Sequence, residues 1–221
     1  MNNNCVAIVD YGVGNLFNVK RAFQSLGIDS IITDDPNQIK EASRLLLPGV
    51  GAFETGMRHL KERSLIEAII EFAESGRPVL GICLGMQLLM TQSEENGLHE
   101  GLNIIQGSVV RFRSSNAGQE SYKIPQIGWN SLSRPNVDHR QREDDVWCNS
   151  ILRDLENESF VYFVHSYTVK VEDPADCLAL THYGQDRFCS VLAKGNIFGC
   201  QFHPERSGPT GLKILENFIS L

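Results

Sequence analysis

The spacing of apolar positions changes part-way along the chain. Up to Met90, short continuous apolar runs alternate with stretches of helical period. Cys5–Asp10 is an apolar run that ends in the glycine-rich turn Tyr11-Gly12-Val13-Gly14-Asn15. The segment after it places Leu16, Val19, Phe23 and Leu26 near one helix face, with Asn15 as cap and Gly27 as stop. Ile28–Thr33 and Arg44–Leu47 read as strands, the second halted by Pro48. Arg58–Ser75 reads as one helix with Leu60, Ile66, Ile69, Ile70 and Ala73 as its stripe, closed by Gly76. Pro78–Cys83 is a fourth strand and Gly85–Met90 a short apolar helix.

Later positions follow a period of two. Residues 107–112, 122–132, 160–169, 177–183, 187–194 and 197–202 read as strands with few helices between them. Gly208–Ser220 reads as a final helix burying Leu212, Leu215, Phe218 and Ile219, and residues 133–146 as a solvated loop. The whole predicts an α/β fold: a three-layer open sheet, mostly parallel in the first half, with an antiparallel, strand-rich second half. No repeat, low-complexity tract or linker divides the chain, so one domain is expected over residues 1–221.

Composition removes several classes of function. With 20 basic against 27 acidic residues and a net charge of −7, no broad nucleic-acid surface is indicated. No apolar run approaches the ~20 residues that span a bilayer. The first residues, Met1-Asn2-Asn3-Asn4-Cys5, lack the basic flank of a signal peptide. A cytoplasmic protein with reduced thiols is expected. The cysteines at 5, 83, 148, 177, 189 and 200 form no Cys-x-x-Cys pair, which excludes a zinc ribbon or thioredoxin motif. Burial in the core is the plain expectation for all but Cys83.

Cys83 stands apart because of its neighbours. Gly81-Ile82-Cys83-Leu84-Gly85 follows a short apolar strand and precedes a helix, the pattern of a nucleophile on a tight strand–helix elbow. Side chains at the two flanking glycines would clash there. The helix N-terminus favours thiolate over thiol and places the Leu84 amide to receive an oxyanion. A distant strand pattern ends in His203-Pro204-Glu205, where residues i and i+2 share a side, so Glu205 can orient His203 as a base. A third segment, Leu45-Leu46-Leu47-Pro48-Gly49-Val50-Gly51, breaks from strand into a glycine loop whose amides, those of Val50 and Gly51, can supply a second oxyanion donor. Asp10-Tyr11-Gly12-Val13-Gly14 imitates a dinucleotide fingerprint, but Phe17 occupies the third glycine position and Asp10 would face the pyrophosphate. His99-Glu100 lacks the second histidine of a zinc helix. His165 is open between core and pocket.

Together these motifs resemble the triad, or class I, glutamine amidotransferases. The likeness extends to Leu47-Pro48-Gly49-Val50-Gly51-Ala52-Phe53, Gly128-Trp129-Asn130 and Phe163-Val164-His165-Ser166-Tyr167, which resemble the glutaminase subunits of imidazole glycerol phosphate synthases. The resemblance implies glutamine hydrolysis by Cys83, His203 and Glu205, with Gln87 and the Ser166-Tyr167 backbone holding the substrate. It implies no metal or organic cofactor, since the thiolate carries the chemistry. It implies a (β/α)₈-barrel cyclase as partner and ammonia acceptor in histidine biosynthesis. Asn15, Trp129 and Arg206 are the implied partner contacts; each also has a plain structural reading, as helix cap, core tryptophan and surface charge. Gln126 and Arg206 stand where His and Lys are usual, Cys200 replaces a common Val, and 134–157 match poorly. These departures point to the alternative acceptor, a sugar amidotransferase of surface-polysaccharide synthesis.

Overall fold

A computed structural model describes residues 5–113, 122–135 and 146–221. The expected loop at 133–146 lies largely outside them. Four short, apolar parallel strands build the first half: β1 (Val6–Val9), β2 (Ser30–Thr33), β3 (Arg44–Leu47) and β4 (Val79–Ile82). The helices between them are α1 (Leu16–Ser25), α2 (Pro36–Glu41), α3 (Phe53–Glu62) and α4 (Ile66–Glu74). Asn15 caps α1 by accepting from the Asn18 amide at 3.2 Å.

The expected helix over 58–75 is two helices. Ser64 takes φ = +55° and the Leu65 amide folds back to the Leu60 carbonyl at 3.0 Å, closing α3 before α4 begins. Both Leu60 and Leu65 are buried, so the apolar stripe runs through the break and hides it. The helix expected to reach Met90 is α5 (Leu84–Leu88), and Met90 already belongs to a strand.

The remaining strands are β5 (Met90–Ser93), β6 (His99–Glu100), β7 (Ile105–Arg111), β8 (Gln126–Leu132), β9 (Ser159–His165), β10 (Tyr167–Val171), β11 (Cys177–Tyr183), β12 (Asp186–Lys194) and β13 (Ile197–Cys200). The chain closes with α6 (Gly208–Ile219). Among the described residues one mixed sheet runs β2-β1-β3-β4-β13-β12-β10-β7-β5-β6, with β11 also on β12, and β8 and β9 form a separate ribbon. The single strand expected over 160–169 is β9 and β10, which pass from one sheet to the other at Ser166. β8 begins only after Pro125, not at 122.

Alternate residues of β1 show the layering. Val6 and Ile8 enter one core, with Phe23 of α1, Leu215 and Phe218 of α6, and Leu132 and Phe163 of the ribbon. Ala7 and Val9 enter the other, with Leu60 of α3, Phe72 of α4 and Leu88 of α5. Cys189 and Cys200 are buried in these cores and Cys5 is buried outside them, whereas Cys177 is half-buried and Cys148 is exposed, both contrary to expectation. No described helix is long and apolar enough to cross a membrane.

Candidate functional site

One topological fact positions the site: β13, though late in the chain, lies parallel to β4 in the middle of the sheet, with Cys200 opposite Ile82. The Cys83 amide donates to the Cys200 carbonyl at 2.7 Å. The residues that leave both strands therefore meet at the same sheet end, where α/β sheets place their ligands.

Cys83 sits on the turn from β4 into α5 with φ = +53° and ψ = −109°, a region that non-glycine residues avoid. The turn is as tight as its glycines suggest. A Cβ at Gly85 would overlap the Leu47 carbonyl oxygen, and one at Gly81 would stand 2.7 Å from the Met86 nitrogen. The His203 ring is 4% exposed, and its Nδ1 lies 2.8 Å from Glu205 Oε1. Burial by itself pushes the His203 pKa down, but the neighbouring Cys83 sulfur and Glu205, which bonds Nδ1, favour the charged ring, outweigh burial and raise the pKa to about 10. The imidazolium is thus favoured where it lies between a sulfur and a carboxylate. Cys83, His203 and Glu205, expected together, are brought together.

A cavity of about 360 Å³ opens over the sulfur. Its walls include Val50, Gly51, Leu84, Gln87, Ser166 and Tyr167, all expected there. His165 lines it as well while being 6% exposed, so it is both core and pocket; its Nδ1 donates to the Tyr167 carbonyl at 2.8 Å. Burial, with a further contribution from the charge on His203, lowers the His165 pKa to about 4 although the Tyr167 bond opposes it. A larger cavity, about 610 Å³, lies along β10, β11 and β12 and shares no lining residue with this one.

Three residues of the site were given no role by the sequence. Gln201 is fully buried, and its Nε2 donates to Cys83 Sγ at 3.8 Å while its Oε1 accepts from Gln87 Nε2 at 3.2 Å. Gln87 also donates to the Tyr167 carbonyl at 3.1 Å, so a chain of amides runs from that wall to the sulfur. Glu95 reaches the cavity with Oε2 held by the Phe53 amide at 2.7 Å. Tyr11 is fully buried, and its hydroxyl donates to the Pro48 carbonyl at 2.6 Å.

The oxyanion donors differ from expectation. The Leu84 N–H does not point to an open site; it donates to the Gly49 carbonyl at 3.3 Å. The carbonyl of the Gly49–Val50 peptide thus occupies the donor that an oxyanion would use. Asp10, in the false dinucleotide motif, accepts from the Gly12 amide at 3.0 Å and shapes the turn.

The expected partner contacts lie on the surface. Trp129 is 55% exposed, not a core residue, and its ring meets Tyr162 edge-on with centroids 6.1 Å apart. The Arg206 guanidinium lies 4.4 Å from the centroid of the same Tyr162 ring. Asn15 is exposed, and its side chain serves as the cap of α1. The Tyr162 carbonyl accepts from the His203 amide at 3.0 Å, so this surface is one hydrogen bond from the candidate base.

Residues 7–221 match the family model of class-I glutamine amidotransferases. Among curated proteins, the chain is similar to imidazole glycerol phosphate synthase subunit HisH 1 of Legionella pneumophila strain Paris. The two are 47% identical over 216 residues, 98% of this chain and 99% of that one. The HisH subunit of Sulfurimonas denitrificans is 47% identical over 213 residues, 96% of each chain. Among solved structures, PurLQS from Thermotoga maritima aligns with a TM-score of 0.67 at 18% identity, over 98% of this chain and 97% of that one. A second solved structure, of a glutamine amidotransferase, aligns with a TM-score of 0.68 at 16% identity, over 97% and 99%. These two likenesses speak to the fold.

Proposed function

The chain belongs to the class I glutamine amidotransferase family, and from that premise we propose that it is the glutaminase subunit of an imidazole glycerol phosphate synthase, releasing ammonia from glutamine for a cyclase partner in histidine biosynthesis. The observation that carries the reading is the buried series of Cys83, His203 and Glu205 at the adjoining ends of β4 and β13, opening into a cavity of amino-acid size. Full-length similarity to HisH subunits supports this acceptor over a sugar amidotransferase.

Cys83 attacks the side-chain carbonyl of glutamine, and His203 moves the proton to the departing ammonia. Glu205 fixes the imidazole through Nδ1, leaving Nε2 toward the sulfur. Water then hydrolyses the thioester with His203 acting as base. Glu95 supplies a carboxylate for the α-ammonium of the substrate, and Gln87, held by Gln201 and the Tyr167 carbonyl, fixes the wall against which the substrate lies. The tetrahedral oxyanion requires both the Leu84 and the Val50 amides. Turning the Gly49–Val50 peptide frees the first and presents the second, and we assign that turn to partner docking. Neutral ammonia is a minor species in neutral water, so transfer inside a complex spares it protonation and loss to solvent. Trp129, Arg206 and Asn15 belong to the docking face, on a partner of (β/α)₈-barrel form.

The test is reconstitution with a candidate cyclase, glutamine and the phosphoribosyl precursor of imidazole glycerol phosphate. The wild-type pair is expected to form product, and Cys83→Ala to bind the cyclase normally yet form none from glutamine while remaining active with added ammonium. Ammonia release from glutamine by the alanine variant would sink the assignment of the nucleophile.

A further inference from the structure

We propose that the Tyr11 hydroxyl is a positioning group for the oxyanion site, holding the Pro48–Gly49 peptide still so that rotation at Gly49 aims the Val50 N–H at the oxyanion that forms on the attacked carbon. The inference rests on the glutaminase reading above. Tyr11 follows the end of β1, which is held on both sides by β2 and β3 and so gives the ring a firm anchor near the site. Its hydroxyl crosses to the Pro48 carbonyl at 2.6 Å, a bond between segments 37 residues apart.

The contact continues toward the nucleophile. A Cβ at Gly49 would overlap the Tyr11 hydroxyl and stand 2.9 Å from Leu84 Cβ. The hydroxyl, Gly49 and Leu84 therefore form a close file that ends at the residue next to Cys83, and only glycine fits in its middle. Gly49 is also the residue whose carbonyl now occupies the Leu84 amide. For that carbonyl to leave and the Val50 amide to arrive at a defined place, the peptide must turn about one fixed end. The Pro48 carbonyl, clamped by Tyr11, is that end. Burial, with the charge on Cys83 adding to it, keeps the phenol well above its ordinary pKa, so it remains an O–H donor at any working pH. The ring fills the core either way; the oxygen alone does the aiming.

Removing the oxygen should therefore affect the transition state and not the ground state, because the oxyanion exists only in the former. In the complex with its cyclase, Tyr11→Phe is expected to lower kcat for glutamine about tenfold or more at unchanged KM. Alkylation of Cys83 by iodoacetamide develops no oxyanion, and its rate is expected to stay within about twofold of wild type. Placing 4-aminophenylalanine at position 11 restores a donor on the same ring and is expected to recover turnover. Unchanged kcat in the phenylalanine variant, a parallel fall in turnover and alkylation, or no recovery by the amino analogue would each overturn the proposal. A wild-type complex that releases no ammonia from glutamine would instead overturn the glutaminase reading itself.

Discussion

His165 shows how one side chain can serve packing and pocket at the same time. Its ring lies 5.0 Å from Phe112, 5.5 Å from Phe163 and 5.2 Å from Phe188, centroid to centroid, while one edge meets the cavity. In this apolar setting the neutral form is favoured and the pKa falls to about 4. The consequence for stability has a definite sign. In the unfolded chain the imidazole takes up its proton near pH 6.5, whereas the folded one resists until about 4. Between those values the unfolded state binds more protons, so His165 contributes stability above pH 6.5 that is lost as the pH falls toward 4. His165→Gln keeps a donor for the Tyr167 carbonyl and removes the titration. Denaturant unfolding from pH 7 to 4 should show the wild type losing a few kcal/mol relative to the glutamine variant, nearly all of it in that window. A difference between the two proteins that does not change with pH would contradict a buried neutral histidine.

The β8–β9 ribbon carries the face to which partner docking is assigned under the proposed function. One face gives Leu132, Val161 and Phe163 to the core. The other leaves Ile127, Trp129 and Phe160 at 62%, 55% and 57% exposure, a contiguous apolar surface on a strand pair. Exposed aromatic rings supported from behind, as Trp129 is by Tyr162, tend to dominate binding energies. Trp129→Ala is expected to weaken cyclase binding by tenfold or more in titration calorimetry with little change in the unfolding midpoint; unchanged affinity would remove the ribbon from the interface. The alternation that marks a strand here does not say which face is outside, and both a core and a docking tryptophan fit it. Other elements were hidden for related reasons. Ser64 takes the place glycine usually marks at a helix end, so α3 and α4 looked continuous. Ser166 lets the chain change sheets without interrupting the period of two. Gln201 lies in the strand read over 197–202, but its place beside the sulfur depends on the register that sets Cys200 opposite Ile82, a pairing between segments more than a hundred residues apart. By contrast Cys83, His203 and Glu205 were legible because each needs a local geometry, an elbow or an i, i+2 pair, that restricts its neighbours. The helix α2 does carry a local signal: Asp35 accepts from the Asn37 amide and Pro36 opens the helix, the ordinary start of one.

At the scale of the molecule the arrangement is that of a site assembled but not yet complete. On the proposed reading, Cys83, His203 and Glu205 are already in place as nucleophile, base and orienting carboxylate, held by the paired ends of β4 and β13. Of the two candidate oxyanion donors, the Leu84 amide opens α5 and is occupied by the Gly49 carbonyl, and the Val50 amide belongs to a loop residue that is 42% exposed. Losing a single oxyanion donor typically costs about a hundredfold or more in kcat, roughly 3 kcal/mol. A chain with the Leu84 amide occupied and the Val50 amide not yet presented should be a poor glutaminase, whatever its affinity for glutamine. The docking surface and the loop lie on elements that both reach the catalytic residues: Tyr162 through the amide of His203, and the loop through Gly49 and Leu84. On the proposed reading, binding energy at the ribbon would be available to shift the loop and would tie hydrolysis to the presence of an acceptor. The isolated chain is therefore expected to hydrolyse glutamine at least about a hundredfold more slowly than the complex, with the loss in kcat and KM nearly constant. Steady-state glutamate release by the chain alone and with saturating cyclase measures this directly. An isolated chain within tenfold of the complex would mean that the Gly49–Val50 peptide turns unaided, and that the occupied Leu84 amide does not restrain the reaction.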